Sequence, residues 1–459
     1  MKKIHRMLTR REFIEKNLAN AAAIASGSAL ITSFTPPAWA RALLQESNKQ
    51  VSAEGGKDNF FVLIRIEGGM DVTLGLDGKT KDRPKWVTEK MCFLEKLEDN
   101  TTQKSPDDGP DLILGAAAKP LAPHVNDIAV VNGIFMRNDF GHQDTNDYLC
   151  SGSFDPRYPG PFVSVELSNS IKGSSGNIMY SGVAPRIAEG YQVEPINLEN
   201  VRGQVLSAVY SEILARGERG MNGASPLSRA KKRYLESQPQ REELRKAVEA
   251  SLSSGAGGMA EGMTAALSFL TGFGQFAQIT ISEFGMDTHN GHEDRHLGVQ
   301  MGVWAQVAKI LADFKLLEMF DRTTFMVTND FSRTPALNVG KGKDHEFRTN
   351  SVLLAGRGIS GGRAFGSSVV MPEDWNDGVD RVPVMVGNLF DPKQRDSRAV
   401  FNLRPEMKSA LMESESVSGH IRLYPENVIR SVAKIFGDPE SFRSIDLKGV
   451  DPIPGLVKA

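Results

Sequence analysis

The stretch FFVLIRIEGGMD, residues 60–71, joins a run of mostly apolar residues to a glycine turn and an aspartate. An apolar run of this length with almost no polar break predicts a strand that is buried on both faces, as in a parallel sheet covered by helices. Gly68-Gly69 predicts a tight turn directly after the strand. The stretch therefore places Asp71 just beyond the carboxyl end of a buried strand.

The same arrangement recurs along the chain, with helical patterns between the apolar runs. Leu297, Met301, Trp304, Leu311 and Phe314 recur at the spacing that places them on one face of a helix. Strands that alternate with helices predict an α/β fold with a mostly parallel central sheet sandwiched by helices. The predicted strands are residues 60–66, 127–134, 276–283, 323–328 and 351–355, and residues 424–436 predict a further amphipathic helix.

Residues 200–265 depart from this rhythm. Val205, Val209 and Ile213 lie at helical spacing, and the charged stretch 227–252 predicts one or two exposed helices. We therefore expect one α/β domain over residues 41–459, with a helical insertion at about 200–265.

The composition is ordinary for a soluble globular protein, with 459 residues, 40% hydrophobic and 24% charged, and a formal net charge of −2. Because no Lys/Arg-rich stripe is interleaved with aromatic residues, nucleic acid is not an expected partner. The two cysteines, Cys92 and Cys150, either pair in an oxidising compartment or remain separate buried thiols.

The first 40 residues carry an export pattern. Thr9-Arg10-Arg11-Glu12-Phe13-Ile14 is a twin-arginine pattern, a weakly apolar run follows at 18–34, and Ala38-Trp39-Ala40 is a small-x-small cleavage site. The alternative is a membrane anchor, but the run is short and weakly hydrophobic for spanning. We predict that residues 1–40 are a signal peptide recognised by the twin-arginine translocase. The mature protein would then be periplasmic or secreted, without a stable membrane anchor.

Carboxylate and imidazole side chains follow the predicted strands. Asp287 and His289 come after one apolar run, Asp330 ends the next, and His345 follows in a loop. Side chains at the carboxyl ends of parallel strands meet at one edge of a sheet. Together with Asp71 they predict a site for a divalent cation. Zinc suits a histidine-containing set, whereas a carboxylate-dominated set accepts manganese, magnesium or calcium.

Each of these residues also has a purely structural interpretation. Asp287 would cap the next helix with His289 on the surface, and Asp330 would cap a loop. His345 would belong to a salt-bridged turn. His292 and His296 are either spare ligands or exposed polar residues at the start of a helix.

Four segments resemble one known family. GGMD at 68–71, SEFGMDTHNGH at 282–292, NDFSRTPALNVGKGKDHEF at 329–347 and LLAGRGISGG at 353–362 closely resemble the family called domain of unknown function 1501. Proteins of that family look like members of the alkaline phosphatase superfamily, whose parallel-sheet fold holds one or two metals. The resemblance implies an alkaline phosphatase-like fold here, and hydrolysis or transfer of phosphate or sulfate esters.

The resemblance also carries over individual positions, and two of them depart from the family's pattern. Phe331 stands where a ligand histidine is expected, and Asn138 occupies the position of the nucleophile, for which Thr145 and Ser151 are poor substitutes. These departures favour attack by a metal-activated water over a covalent intermediate. The positions that match are Asp71 (an early aspartate), Asp287 with His289 or His292 (an Asp-His cluster), Asp330 (the first residue of an Asp-His dipeptide) and His345 (a late histidine).

Two further residues are candidates for catalysis. Arg333 suits bidentate binding of a phosphate or sulfate, and its alternative is an ion pair with Asp344 or Glu346. His142 is either an acid/base residue, a residue that supports a ligand, or a buried histidine at a helix start.

Two functions follow from these residues. The first is an exported, metal-dependent hydrolase of small-molecule phosphate or sulfate esters that uses metal-activated water. The second is a non-catalytic binding or assembly protein of the cell envelope that retains the fold. The altered positions Phe331 and Asn138 favour the second, and the otherwise complete ligand set favours the first.

Overall fold

The computed structural model describes residues 59–79, 99–106, 111–136, 141–153, 160–171, 174, 176–200, 259–270, 274–371, 384–387, 421–437, 442, 447 and 449–458. The predicted export signal, Cys92, Asn138 and most of the predicted helical insertion lie outside these residues.

The described residues form fourteen strands and five α-helices, with several strands following one another at either end. The strands are β1 (Phe60–Glu67), β2 (Thr101–Gln103), β3 (Leu112–Leu114), β4 (Ile128–Asn132), β5 (Asn177–Ser181), β6 (Glu194–Asn197), β7 (Phe276–Ser282), β8 (Thr323–Asn329), β9 (Ser332–Arg333), β10 (His345–Glu346), β11 (Ser351–Gly356), β12 (Arg363–Phe365), β13 (Ser368–Met371) and β14 (Val384–Gly387). The helices are α1 (His142–Ser151), α2 (Val163–Ser170), α3 (Met259–Leu270), α4 (His292–Leu316) and α5 (Pro425–Ile435), and short 3-10 helices occupy Ala116–His124, Phe284–Met286 and Phe320–Arg322.

Eight of these strands form a central sheet in the order β12-β4-β11-β8-β1-β7-β5-β6. Neighbouring strands are parallel except at β11, which runs antiparallel to both β4 and β8. The predicted α/β fold with a mostly parallel sheet is therefore confirmed.

β1 lies at the centre of the sheet, between β7 and β8. Its register pairs Glu67 with Ser282 of β7 and Ile66 with Asn329 of β8. Because the three strands are parallel and end at the same level, the loops that follow them meet at one edge.

Helices cover both faces of the sheet. Successive side chains of β1 point to opposite faces, so Val62 packs in a core with α3 and α4, whereas Phe61 packs with α1, α2 and α5. Burial on both sides explains the unbroken apolar run of β1. The one charged residue in the run, Arg65, is buried and donates from Nη2 to Asp147 Oδ1 of α1 at 2.9 Å.

Some elements were not predicted from the hydrophobic pattern. β6 has the sequence EPIN and α1 has the sequence HQDTNDYLCS, and neither shows a clear apolar period. α4, with 25 residues, is long enough to show the helical spacing of its apolar residues over several turns. In the part of the chain that the structure describes, no helix combines the length and apolar character needed to cross a membrane.

Candidate metal centre

Three loops and one helix start converge at the edge where β1, β7 and β8 end. After β7, a single 3-10 turn leads to Asp287 and His289. After β8, the chain makes a small hairpin in which His345 pairs with Arg333. The hairpin returns His345 to the edge from which it started, and His142 begins α1 nearby.

Four side chains form what we call the upper cluster: His142, Asp287, His289 and His345. From Asp287 Oδ1, the Nε2 atoms of His289, His142 and His345 lie at 3.2, 3.7 and 3.9 Å. The Nε2 atoms of His289 and His345 are 3.1 Å apart. One ligand atom each from His142, Asp287 and His345 falls within 4.8 Å of the others, a grouping that could hold a metal ion. The predicted residues Asp287, His289 and His345 are thus brought together.

Two of these histidines are held by carboxylates on the side away from Asp287. His142 Nδ1 lies 2.6 Å from Asp330 Oδ2, and His289 Nδ1 lies 2.9 Å from Asp344 Oδ1. If each Nδ1 carries the proton, each Nε2 presents a lone pair. This is how second partners usually orient metal-binding histidines. The hydrogen bond that His142 donates to Asp330 also raises the pKa of His142.

Asp330 supports the cluster rather than entering it. It is fully buried, and its Oδ2 accepts from the backbone N–H of Gly68 at 2.9 Å as well as from His142. Of the predicted ligands, Asp330 therefore reaches the cluster through His142.

The guanidinium of Arg333, which the sequence predicts to bind a substrate anion, contacts oxygens of the protein itself. It is buried and donates to the backbone oxygens of Gly68, Gly69, Met286 and Lys343. Nη2 also donates to Asp287 Oδ1 at 2.7 Å. With its donors committed in this way, Arg333 fixes Asp287 and the loop ends around it. Partial burial raises the pKa of Asp287, but Arg333 outweighs it and holds that pKa below its usual range.

Asp71, also predicted as a metal ligand, does not join the upper cluster and contacts Lys343 and His292. It is fully buried, and its Oδ2 accepts from Lys343 Nζ at 2.7 Å and lies 3.2 Å from His292 Nε2. Burial raises the pKa of Asp71, but the Lys343 ammonium and His292 outweigh burial and hold it well below the usual range. Asp71 is thus an ionised carboxylate whose counter-ion is the Lys343 ammonium.

His292 and His296 belong with Asp71 in what we call the lower network: Asp71, Lys343, Thr288, His292 and His296. The expectation that the two histidines are exposed was wrong, because both are buried and their rings stack at 4.1 Å between centroids. Burial lowers the pKa of His292 and lowers that of His296 to about 3. Both imidazoles are therefore neutral near pH 7.

Phe331 forms an apolar wall beside the upper cluster. It is buried, and its ring centroid lies 3.9 Å from that of His345 and 4.6 Å from that of His142. Thr145 and Ser151 are also buried, and the Ser151 hydroxyl donates to the backbone oxygen of Asp147 at 2.7 Å. Neither hydroxyl is presented to solvent as a nucleophile.

From the sequence, an acid/base role was one of the predictions for His142, and no role in the metal site was predicted for Asp344. The available signals were the Gly141-His142 pair at a helix start and the Asp344-His345 dipeptide. Only the folded chain shows that His142 completes the ligand group and that Asp344 holds a different histidine, His289.

A family model described as "Protein of unknown function (DUF1501)" matches residues 222–402, a range that contains Asp287, His289 and His345 but not Asp71 or His142. The crystal structure of the PsFucS1 sulfatase from Pseudoalteromonas sp. is similar at 12% sequence identity and a TM-score of 0.23, over 72% of this chain and 68% of that chain. A likeness this weak carries no argument about fold or chemistry. A comparison with curated proteins found no match.

Proposed function

We propose that this protein binds one divalent cation on His142, Asp287, His289 and His345 and uses it to hydrolyse phosphate or sulfate esters. The observation that carries the proposal is the convergence of three imidazole Nε2 atoms on Asp287 Oδ1, two of them backed by carboxylates.

The composition of the upper cluster favours zinc. Three imidazoles and one carboxylate are the ligand types that zinc takes in proteins, whereas calcium and magnesium prefer oxygen ligands alone. The sequence alone allowed zinc, manganese, magnesium or calcium, and the ligand types of the cluster favour zinc among them.

The partial exposure of the cluster favours chemistry over a purely structural ion. Side-chain exposure is 22–42% across the four residues, so solvent and substrate can reach the group. A bound cation would polarise an ester oxygen and lower the pKa of a coordinated water. The chain's own residues orient the ligands: Asp330 and Asp344 fix two imidazoles, and Arg333 fixes Asp287.

The second candidate is a cell-envelope binding or assembly protein that keeps the fold, with or without the metal, and has no turnover. The commitment of Arg333 to backbone oxygens favours it, as does the burial of Thr145 and Ser151. Arg333, Thr145 and Ser151 therefore offer an anionic ester neither an arginine clamp nor a hydroxyl nucleophile.

Metal analysis of the purified protein together with a substrate panel separates the two. One equivalent of zinc and hydrolysis of an aryl phosphate, a phosphodiester or an aryl sulfate, lost on chelation and restored by zinc, support the hydrolase. One equivalent of zinc without turnover supports the second candidate. Absence of metal binding after zinc loading would remove the hydrolase and leave a binding protein that holds no metal.

We further propose export by the twin-arginine route, on the basis of Arg10-Arg11 and the cleavage pattern ending at Ala40. Replacing both arginines by lysine should leave the precursor in the cytoplasm. Normal maturation of that variant would contradict the route.

A further inference from the structure

We infer that Asp71 and Lys343 act as positioning residues for the metal ligands, by tying together the two loop segments that carry Asp287, His289 and His345. The inference rests on the proposed metal centre. It gives the lower network a function in setting metal affinity, beyond its contribution to stability.

The segment 287–289 presents alternate residues to opposite sides. Asp287 and His289 join the upper cluster, and Thr288 between them is buried. Thr288 Oγ1 lies 2.6 Å from Nδ1 of His292 and 2.9 Å from Nδ1 of His296. Thr288 therefore anchors Asp287 and His289 to the start of α4 on the side away from the upper cluster.

The segment 343–345 likewise reaches both the upper cluster and the lower network. His345 belongs to the upper cluster, whereas Lys343 is buried and donates from Nζ to Asp71 Oδ2. The two segments also touch directly, because the backbone N–H of Lys343 donates to the oxygen of Thr288 at 3.0 Å.

Asp71 closes the connection between the two anchors. Its Oδ2 faces both Lys343 Nζ and His292 Nε2, at 2.7 and 3.2 Å. Its Oδ1 accepts from the backbone N–H and hydroxyl of Thr73 at 3.0 and 2.6 Å, which fixes the plane of the carboxylate. The contacts run Thr288 to His292 to Asp71 to Lys343, so the carboxylate sets the spacing of both ligand segments.

The chain offers a matched control nearby. Asp77 and Lys79 form a second buried pair, with Lys79 Nζ 2.8 Å from Asp77 Oδ2. This pair contacts Ser368 at the start of β13, where Lys79 donates to both the backbone oxygen and the hydroxyl. It has the same chemistry and burial as Asp71 with Lys343, but it anchors a different part of the fold.

The test compares Asp71→Asn with Asp77→Asn in the full mature chain. Zinc affinity is measured by competition with a chromophoric chelator, ligand geometry by the visible absorption of the Co²⁺-loaded protein, and stability by thermal unfolding. We expect Asp71→Asn to weaken zinc binding about 10- to 100-fold, the usual effect of losing a group that orients ligands, and to change the Co²⁺ spectrum. Asp77→Asn should lower the unfolding temperature but keep the zinc affinity and spectrum of the wild type.

Asp71→Asn leaves Lys343 buried without its carboxylate. A second variant therefore controls for misfolding caused by that unpaired charge. Asp71→Asn/Lys343→Met removes both charges and should show the same loss of zinc affinity. If both variants keep wild-type affinity and spectrum, the positioning role is overturned while the metal centre stands. If the wild type binds no zinc, or if His345→Ala binds it as tightly as the wild type does, the metal centre itself fails and this inference falls with it.

Discussion

The upper cluster and the lower network lie next to each other and both combine histidines with an aspartate, yet the charge of the aspartate is balanced differently in each. In the upper cluster the side chains are 22–42% exposed, and three imidazoles turn Nε2 toward one carboxylate oxygen. In the lower network the side chains are buried, and Lys343 supplies the cation that the buried aspartate needs.

The contrast shows how burial decides what a histidine-aspartate group does. A charge that is removed from water is costly unless a partner is built in, so the buried carboxylate Asp71 has its own ammonium. A partly exposed group can leave its lone pairs facing a common point because water satisfies them until an ion binds. A cation from solution thus suits the upper cluster and has no place in the lower network.

The largest effect is expected when a ligand is removed from the upper cluster. His345→Ala should lose zinc on dialysis and, if the protein is an enzyme, all turnover, because one of four ligand side chains is gone. Metal analysis checks the first outcome. His124→Ala removes another histidine, one that is buried between charged groups away from the cluster, and it should retain zinc. Equal retention of zinc by both variants would contradict the site.

The next largest effect belongs to the lower network. Asp71→Asn should lower the free energy of unfolding by about 3–5 kcal/mol at pH 7, because it breaks a buried ion pair. The folded-state pKa of Asp71 is depressed, so its contribution to stability is present above the ordinary value of about 3.9 and is lost as pH falls toward the folded-state pKa. The difference between the wild type and the variant in denaturant unfolding should shrink below about pH 4. A constant difference from pH 7 to pH 3 would contradict an ionised Asp71.

A smaller effect should separate the two carboxylates that orient histidines. Asp330→Asn should weaken zinc binding about 10- to 100-fold and, in the metal-free protein, lower the pKa of His142, because the hydrogen bond that His142 donates to Asp330 raises it. An NMR titration of the imidazole C–H resonances measures that change. Asp344 is 55% exposed, so Asp344→Asn should cost less affinity. The reverse order would show that the exposed carboxylate is the dominant one.

The smallest effect concerns Phe331, the apolar wall beside the upper cluster. Phe331→Leu removes the stacking on His345 and the tilted ring contact with His142, and it should lower the free energy of unfolding by about 1 kcal/mol. Zinc affinity should fall by less than about tenfold. A larger loss of affinity than that of Asp330→Asn would mean that the aromatic wall, and not the carboxylate, orients the imidazoles.

The sequence predicted the strands that matter for the site, because buried parallel strands have continuous apolar runs. The predicted strand at 276–283 is observed as Phe276–Ser282, and that at 323–328 as Thr323–Asn329. The sequence also predicted that Asp287, His289 and His345 meet, since strand ends fix their edge of the sheet. It did not predict the place of Asp71, because a side chain two residues past a glycine turn can face either the cluster or the core. Nor did it predict the burial of His292 and His296, which follows from tertiary contacts of Thr288 and Asp71.

The position of β1 also governs the order in which the protein can form. Its two neighbours in the sheet, β7 and β8, begin at Phe276 and Thr323, more than two hundred residues later in the chain. At a synthesis rate of about 5–20 residues per second, β1 waits roughly 10–40 s for its first partner. During that time an apolar, β-prone segment has no sheet to join, which is the condition that promotes aggregation. We therefore expect the nascent chain to depend on a chaperone that covers residues 60–66 until β7 has been made.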